Sequence, residues 1–277
     1  MPLGPPMGWD RVLALDHLTL LDVAPPDFVA LAAGAGFDAV GVRIAPATVG
    51  ESPWPMSPGS RMLTETVRRC QNTGVTVLDT EAIRLTPEAD VAAAEPVLET
   101  AASLNARYVN AIGDDPDTER LSDRFGRLAA MAAPYGIRAV LEFMAYKTVR
   151  TLDDALAIAA RSDGGGVLLD ALHVQRCGTD IAQVADVEPR LLGYVQLCDA
   201  PLDPPEGDPV AEARTGRLLP GDGELPLTAL LTALPPGTPV AVEAPSLSLR
   251  RELTPAQFAA RARRSLDRVL ARLDRPF

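Results

Sequence analysis

The sequence predicts a single α/β domain closed as a (β/α)8 barrel, and three observations carry that prediction. Eight short apolar runs alternate with helix-like segments, the pattern of a buried parallel sheet. Four of the runs stop on a polar side chain, at Val140-Leu-Glu142, Val167-Leu-Leu-Asp170, Tyr194-Val-Gln196 and Val240-Ala-Val-Glu243. The length of 277 residues lies close to the roughly 250 typical of such barrels. No Gly-x-Gly-x-x-Gly succeeds an early strand, so a dinucleotide fold has no support.

Taken in chain order, Leu13 to Leu20 reads as strand one, and Pro25-Pro26 opens a helix that ends at Gly34 or Gly36. Phe37 to Ile44 is strand two. A loop rich in Pro, Gly and Ser runs from Pro46 to Ser60 with Trp54 in it, either a lid that packs over a substrate or a plain insertion. Arg61 to Thr73 is helical, Val75 to Asp79 is strand three, and Glu81 and Arg84 fall just past its end. Asp90 to Asn105 is helical, Arg107 to Ile112 is strand four, and Asp117 to Tyr135 is a helix with acids in its first turn. Ile137 to Glu142 is strand five. Thr151-Leu-Asp-Asp154 has the form of a capping box for a helix reaching about Arg161. Val167 to Asp170 is strand six, Asp180 to Val187 a short helix, and Leu191 to Leu197 strand seven. Asp199 to Pro220 is polar and proline-rich without periodicity and reads as a loop. Leu225 to Leu234 is helical, Pro239 to Glu243 is strand eight, and Thr254 to Leu273 is a closing amphipathic helix. One domain over 1–277 is expected, with 1–12 as an N-terminal extension.

Composition narrows the function classes. Hydrophobic residues make up 47%, enough for a large core, so disorder is excluded over most of the chain. The net charge of −11 argues against nucleic acid, whose binding needs a basic patch. Met1-Pro-Leu-Gly-Pro-Pro lacks the features of a signal peptide, and no apolar run is long enough to span a membrane. Cys70, Cys177 and Cys198 match no disulfide or zinc spacing, which fits a reduced, cytoplasmic setting; Cys198 reads as a buried small hydrophobe.

Side chains at the carboxyl ends of barrel strands converge on one mouth. Glu142, Asp170, Gln196 and Glu243 would there offer oxygen ligands to a hard divalent cation, or else simply end four strands. Leu141-Glu-Phe143, Leu169-Asp-Ala-Leu-His173, Tyr194-Val-Gln-Leu-Cys-Asp199, Leu219-Pro-Gly-Asp-Gly-Glu-Leu225 and Val242-Glu-Ala-Pro245 add a resemblance. In their order and spacing they resemble the sugar phosphate isomerase/epimerase family of the xylose isomerase-like TIM barrel superfamily, which also holds inosose and 3-dehydroshikimate dehydratases.

The resemblance implies metal ligands at Glu142, Asp170, Gln196 and Glu243. Gln196 departs from the His common in the isomerases and is similar to the 3-dehydroshikimate dehydratase branch. An all-oxygen set favours Mg²⁺ or Mn²⁺ over Zn²⁺, with Co²⁺ admissible. Glu142 and Glu243 would pass a proton, as in the family's epimerases. His173 would act as acid or base, as in its dehydratases, or orient Asp170. Lys147, Arg176, Arg214 and Arg217 form a cationic rim suited to a substrate phosphate or carboxylate, whereas Arg150 reads as a surface ion pair. Arg43, Glu81 and His17 are placed to hydrogen-bond substrate hydroxyls, with a core role as the other reading of His17. The expected activity is a divalent-metal-dependent isomerase or epimerase of a small polyhydroxylated carbonyl compound, with a dehydratase as the alternative and a non-catalytic barrel as the third class. A homodimer is admissible on the resemblance alone.

Overall fold

The computed structural model describes residues 11–48 and 50–273, so most of the expected extension at 1–12 lies outside the described residues. Eight parallel strands close a barrel in chain order: β1 Leu13–Leu15, β2 Ala39–Arg43, β3 Thr76–Leu85, β4 Tyr108–Gly113, β5 Arg138–Glu142, β6 Gly166–Asp170, β7 Leu192–Leu197 and β8 Val240–Val242. β8 pairs with β1, so no edge remains. Thr19 locks this seam. Its hydroxyl donates to the Val242 carbonyl at 3.1 Å and accepts from the Ala244 N–H at 3.0 Å.

Inside the barrel, each strand contributes one side chain to a single apolar layer: Ala14, Ala39, Leu78, Tyr108, Val140, Leu168, Tyr194 and Ala241. Small residues on β8, β1 and β2 leave room for the Tyr108 and Tyr194 rings, whose centroids lie 5.2 Å apart. The barrel floor is therefore a packed plug rather than a pore. The opposite strand faces meet the helices in a second core, where Phe28, Phe125 and Phe258 are wholly buried. Each contributes on the order of 2–3 kcal/mol from burial.

The helix signals hold where local chemistry is complete. The first helix, Pro25–Ala35, stops at Gly36 with φ +85°. Thr151 and Asp154 make the expected capping box on Leu152–Ala160. Four differences concern short elements. His17–Leu20 is a 3₁₀ turn rather than the end of β1. β3 continues to Leu85, so Glu81 and Arg84 lie within it. A helix, Ala171–Arg176, begins directly after Asp170, because the Asp170 side chain caps the His173 N–H. Another, Pro209–Thr215, stands inside the supposed loop 199–220, capped by Asp208 with Pro209 at its first position. Helices of one or two turns are too short to show a period.

Asp199 explains the Pro-Gly-Asp-Gly-Glu turn. Its carboxylate accepts from the N–H groups of Ala200, Gly221 and Leu225. A Cβ on Gly223 would stand 2.6 Å from that carboxylate, so only glycine fits there. Trp54 packs against the core and donates its indole N–H to the Leu21 carbonyl at 3.1 Å, which ties the 46–60 loop to the turn after β1.

The plug should carry much of the stability. Leu168→Ala is expected to lower unfolding free energy by about 3 kcal/mol, read from the denaturation midpoint at constant m-value.

Candidate active site

Because side chains alternate in and out along a strand, the next inward layer lies two residues beyond the plug. That layer is polar: Asp16 after Ala14, Asn110 after Tyr108, Glu142 after Val140, Asp170 after Leu168, Gln196 after Tyr194 and Glu243 after Ala241, with Gly41 after Ala39. On β3 the register slips by one residue opposite Val40 and Gly41, which brings Asp79 opposite Gly41 and Glu81 opposite Arg43. All of these carboxylates, together with Asn110 and Gln196, are buried.

Glu142 is fixed by Asn110, whose Nδ2 donates to its Oε2 at 2.8 Å. His173 Nε2 stands 3.8 Å from Glu142 Oε1. Asp170 divides its oxygens: Oδ1 accepts the His173 N–H at 3.0 Å, and Oδ2 meets Arg217 Nη1 at 2.5 Å. The same Nη1 lies 3.1 Å from Glu243 Oε2. Gln196 donates its amide to Asp16 Oδ2 at 2.7 Å and to Glu243 Oε1 at 3.2 Å, which leaves its Oε1 buried without a partner.

Arg217, expected on the rim, instead lies at the base of the site, 2% exposed. Carbonyls of Ala213 and Glu243 hold its guanidinium in place. Burial works against the Asp170 charge, yet Arg217 outweighs it and the carboxyl sits below its ordinary range. Glu142 has no such cation of its own. Burial, then the Asp170 charge, push it up to about 8. Burial likewise raises Glu243 well above a normal glutamate, Arg217 offsetting only part of it. His173 is driven down to about 4 by burial and is neutral at physiological pH.

Some of these groups open onto a cleft, which Asp170 and Gln196 do not line. Glu142, His173 and Glu243 line it, as do Arg43, Glu81, Lys147, Arg214 and Arg217. Lys147 pairs with Asp114 at 2.7 Å, and Arg214 with Glu51 at 3.2 Å. Glu51 also meets Arg43 at 3.1 Å and so ties the loop after β2 to the helix after β7 across the mouth. Burial opposes the charge of Glu51, but the two guanidiniums hold its carboxyl below the usual range.

Two expected substrate contacts are spent elsewhere. Arg176 grips Glu212 with two nitrogens, at 2.7 and 3.0 Å, and donates to the Pro201 and Leu202 carbonyls. His17 is a satisfied core histidine: Nε2 donates to the Val23 carbonyl at 2.8 Å, Nδ1 accepts from the Arg43 N–H at 3.2 Å, and the ring stacks on Phe28. Neither lines the cleft. Trp54, expected over the substrate, does not line it either.

Sequence reasoning missed Asn110, Tyr146, Asp16 and Asp79. A polar residue within the run Tyr108-Val-Asn-Ala-Ile was the available signal for Asn110. Tyr146 lines the cleft with its ring edge-on to His173 at 5.5 Å. No local signal marked it.

Among the described residues, two groups of side chains present ligand atoms within 4.8 Å of one another, Glu142–Asp170–His173 and Asp16–Asp79–Glu81. Among the described residues no helix is long and apolar enough to cross a membrane.

A family model described as xylose isomerase-like TIM barrel matches residues 29–268. No curated protein matches the sequence significantly. Solved structures share the fold at low identity. A xylose isomerase-like TIM barrel/4-hydroxyphenylpyruvate dioxygenase fusion protein superposes with TM-score 0.78 at 21% identity, over 95% of this chain and 43% of that longer one. The IOLI protein with a bound zinc atom gives TM-score 0.78 at 22% identity, over 95% of this chain and 99% of that one. D-psicose 3-epimerase in the presence of D-fructose gives 0.74 at 15%, over 95% and 99%.

Two outcomes are expected. His17 is neutral in the fold, with burial as the main cause of a pKa near 4, against 6.5 when unfolded. The unfolded chain thus binds more protons between these values, and stability falls as pH drops from about 6.5 to 4. The His17 share is on the order of 3 kcal/mol. His17→Phe should flatten that part of a pH–stability curve while costing about 2 kcal/mol at neutral pH through the unpaired Arg43 N–H and Val23 carbonyl. Glu51→Gln should loosen the strap over the mouth and speed limited proteolysis of the 46–60 loop several-fold.

Proposed function

Since the chain belongs to the xylose isomerase-like TIM barrel family, we propose that it is a divalent-metal-dependent isomerase or epimerase of a small polyhydroxylated carbonyl compound: a sugar, keto-sugar or sugar phosphate. The observation that carries this reading is that Glu142 of β5 and Glu243, just past β8, open onto one cleft, where two carboxyl groups can exchange a proton with one substrate.

The proposed metal ligands are Glu142, Asp170, Gln196 and Glu243. The residues fit a hard cation. Of three buried carboxylates, Asp170 and Glu243 share a single guanidinium, Arg217, which Glu142 does not contact, and the unpartnered Gln196 Oε1 adds a neutral oxygen. Mn²⁺ or Mg²⁺ suits this oxygen set, with Co²⁺ also admissible. Such an ion supplies Lewis acidity, polarising a substrate carbonyl or hydroxyl.

The chain's own residues then move the proton. Glu142 takes it from the carbon beside the carbonyl, held in place by Asn110. Glu243 returns a proton to the opposite face, which inverts that carbon. Lys147 and Arg214 at the mouth, with Arg43 and Glu81 deeper, hold the substrate's oxygens. The shared fold of D-psicose 3-epimerase supports this reading.

One observation favours a dehydratase as the second reading. His173, neutral in the cleft and close to Glu142, is suited to protonating a leaving β-hydroxyl. Dehydration shares the first proton abstraction and differs only in the second step, where the hydroxyl leaves instead of the carbon regaining a proton.

In D₂O, turnover of a keto-sugar should place deuterium on the inverted carbon. Glu142→Gln and Glu243→Gln should each lower kcat by about 100-fold or more and reduce bound metal. Unchanged turnover and metal content in both would remove the assignment. With 3-dehydroshikimate, metal-dependent formation of an aromatic absorber that His173→Gln abolishes would instead establish the dehydratase.

A further inference from the structure

The polar layer has a second half in which Asp16 and Asp79 take no part in the proposed reaction. Asp16 at the end of β1 and Asp79 and Glu81 on β3 turn into the barrel beside the catalytic groups, and none is more than 1% exposed. Asp16 Oδ1, both Asp79 oxygens and Glu81 Oε1 have no hydrogen-bond partner. Glycine at position 41 makes the space these carboxylates share: a Cβ there would stand 2.1 Å from Asp16 Oδ1 and 2.5 Å from Asp79 Oδ1.

A separate residue on the far side of the barrel points to the same place. The Tyr194 hydroxyl, on β7, is buried and unpartnered and faces Asp79. Side chains from three strands therefore turn oxygens toward one another inside the barrel. Oxygens bound to one Mg²⁺ lie at most about 4.2 Å apart, and around Ca²⁺ about 4.8 Å, from bond lengths near 2.1 and 2.4 Å. The three acids already present atoms within 4.8 Å.

We propose that Asp16, Asp79 and Glu81, with Tyr194, form a second site for a hard divalent cation, beside and distinct from the catalytic one. Gln196 joins the two, because the amide that donates to Asp16 also donates to Glu243. Glu81 lines the cleft, which gives an ion a route inward.

The test uses full-length protein stripped by chelation and titrated with Mn²⁺, read by calorimetry and by metal content after dialysis. Two ions per wild-type chain are expected, falling to one in Asp79→Asn and to one, at the other site, in Glu142→Gln. One ion in wild type, still one in Asp79→Asn and none in Glu142→Gln would overturn the second site and leave the catalytic one standing. One ion in wild type that Asp79→Asn removes and Glu142→Gln keeps would do the reverse. If Asp79→Asn does not fold, wild-type crystals grown with Mn²⁺ decide: an anomalous peak between Asp16 and Asp79 supports the site, and none there overturns it.

Discussion

The structure depends on one geometric constraint, the limited width of an eight-stranded barrel. Only one side chain from each strand reaches the interior at a given height. The lower layer is filled by apolar residues and two tyrosines, so it excludes water from below. The layer above is filled almost wholly with acids and amides. Burial on this dry floor, and after it the charges of neighbouring carboxylates, raise the proton affinities of Glu142 and Glu243.

Arg217 is the principal internal answer to those charges. It comes from the stretch after β7, yet its guanidinium reaches Asp170 and Glu243 at the floor of the cleft. Backbone carbonyls hold it, so the loop, the helix Pro209–Thr215 and the acidic layer are mechanically linked. Arg176 reinforces the same loop through Glu212, and Glu51 fastens the opposite wall. Cationic residues that resemble a binding rim in sequence thus divide into two tasks. Arg176 and Arg217 hold the walls and floor, while Lys147 and Arg214 remain at the surface of the cleft.

Asp170 shows how one residue serves both fold and site. Its Oδ1 starts the helix that carries His173, and its Oδ2 faces Arg217. The three-residue interval between Asp170 and His173 is the interval of a helix N-cap. The histidine therefore sits over the acidic layer for the same reason that the helix begins there.

The barrel, its strand order and four members of the polar layer are legible in the residues alone. Each of those facts is local: an apolar run of strand length, a capping residue, or a polar side chain where a run stops. Asn110 and Asp79 escaped because the first sits within an apolar run and the second depends on a slipped register between β2 and β3. His17 was ambiguous because its partners, Val23 and Arg43, come from different elements. The place of Arg217 is a matter of tertiary structure. Its charged partners lie 47 residues before it and 26 after it, and only closure of the barrel brings them within reach of one guanidinium.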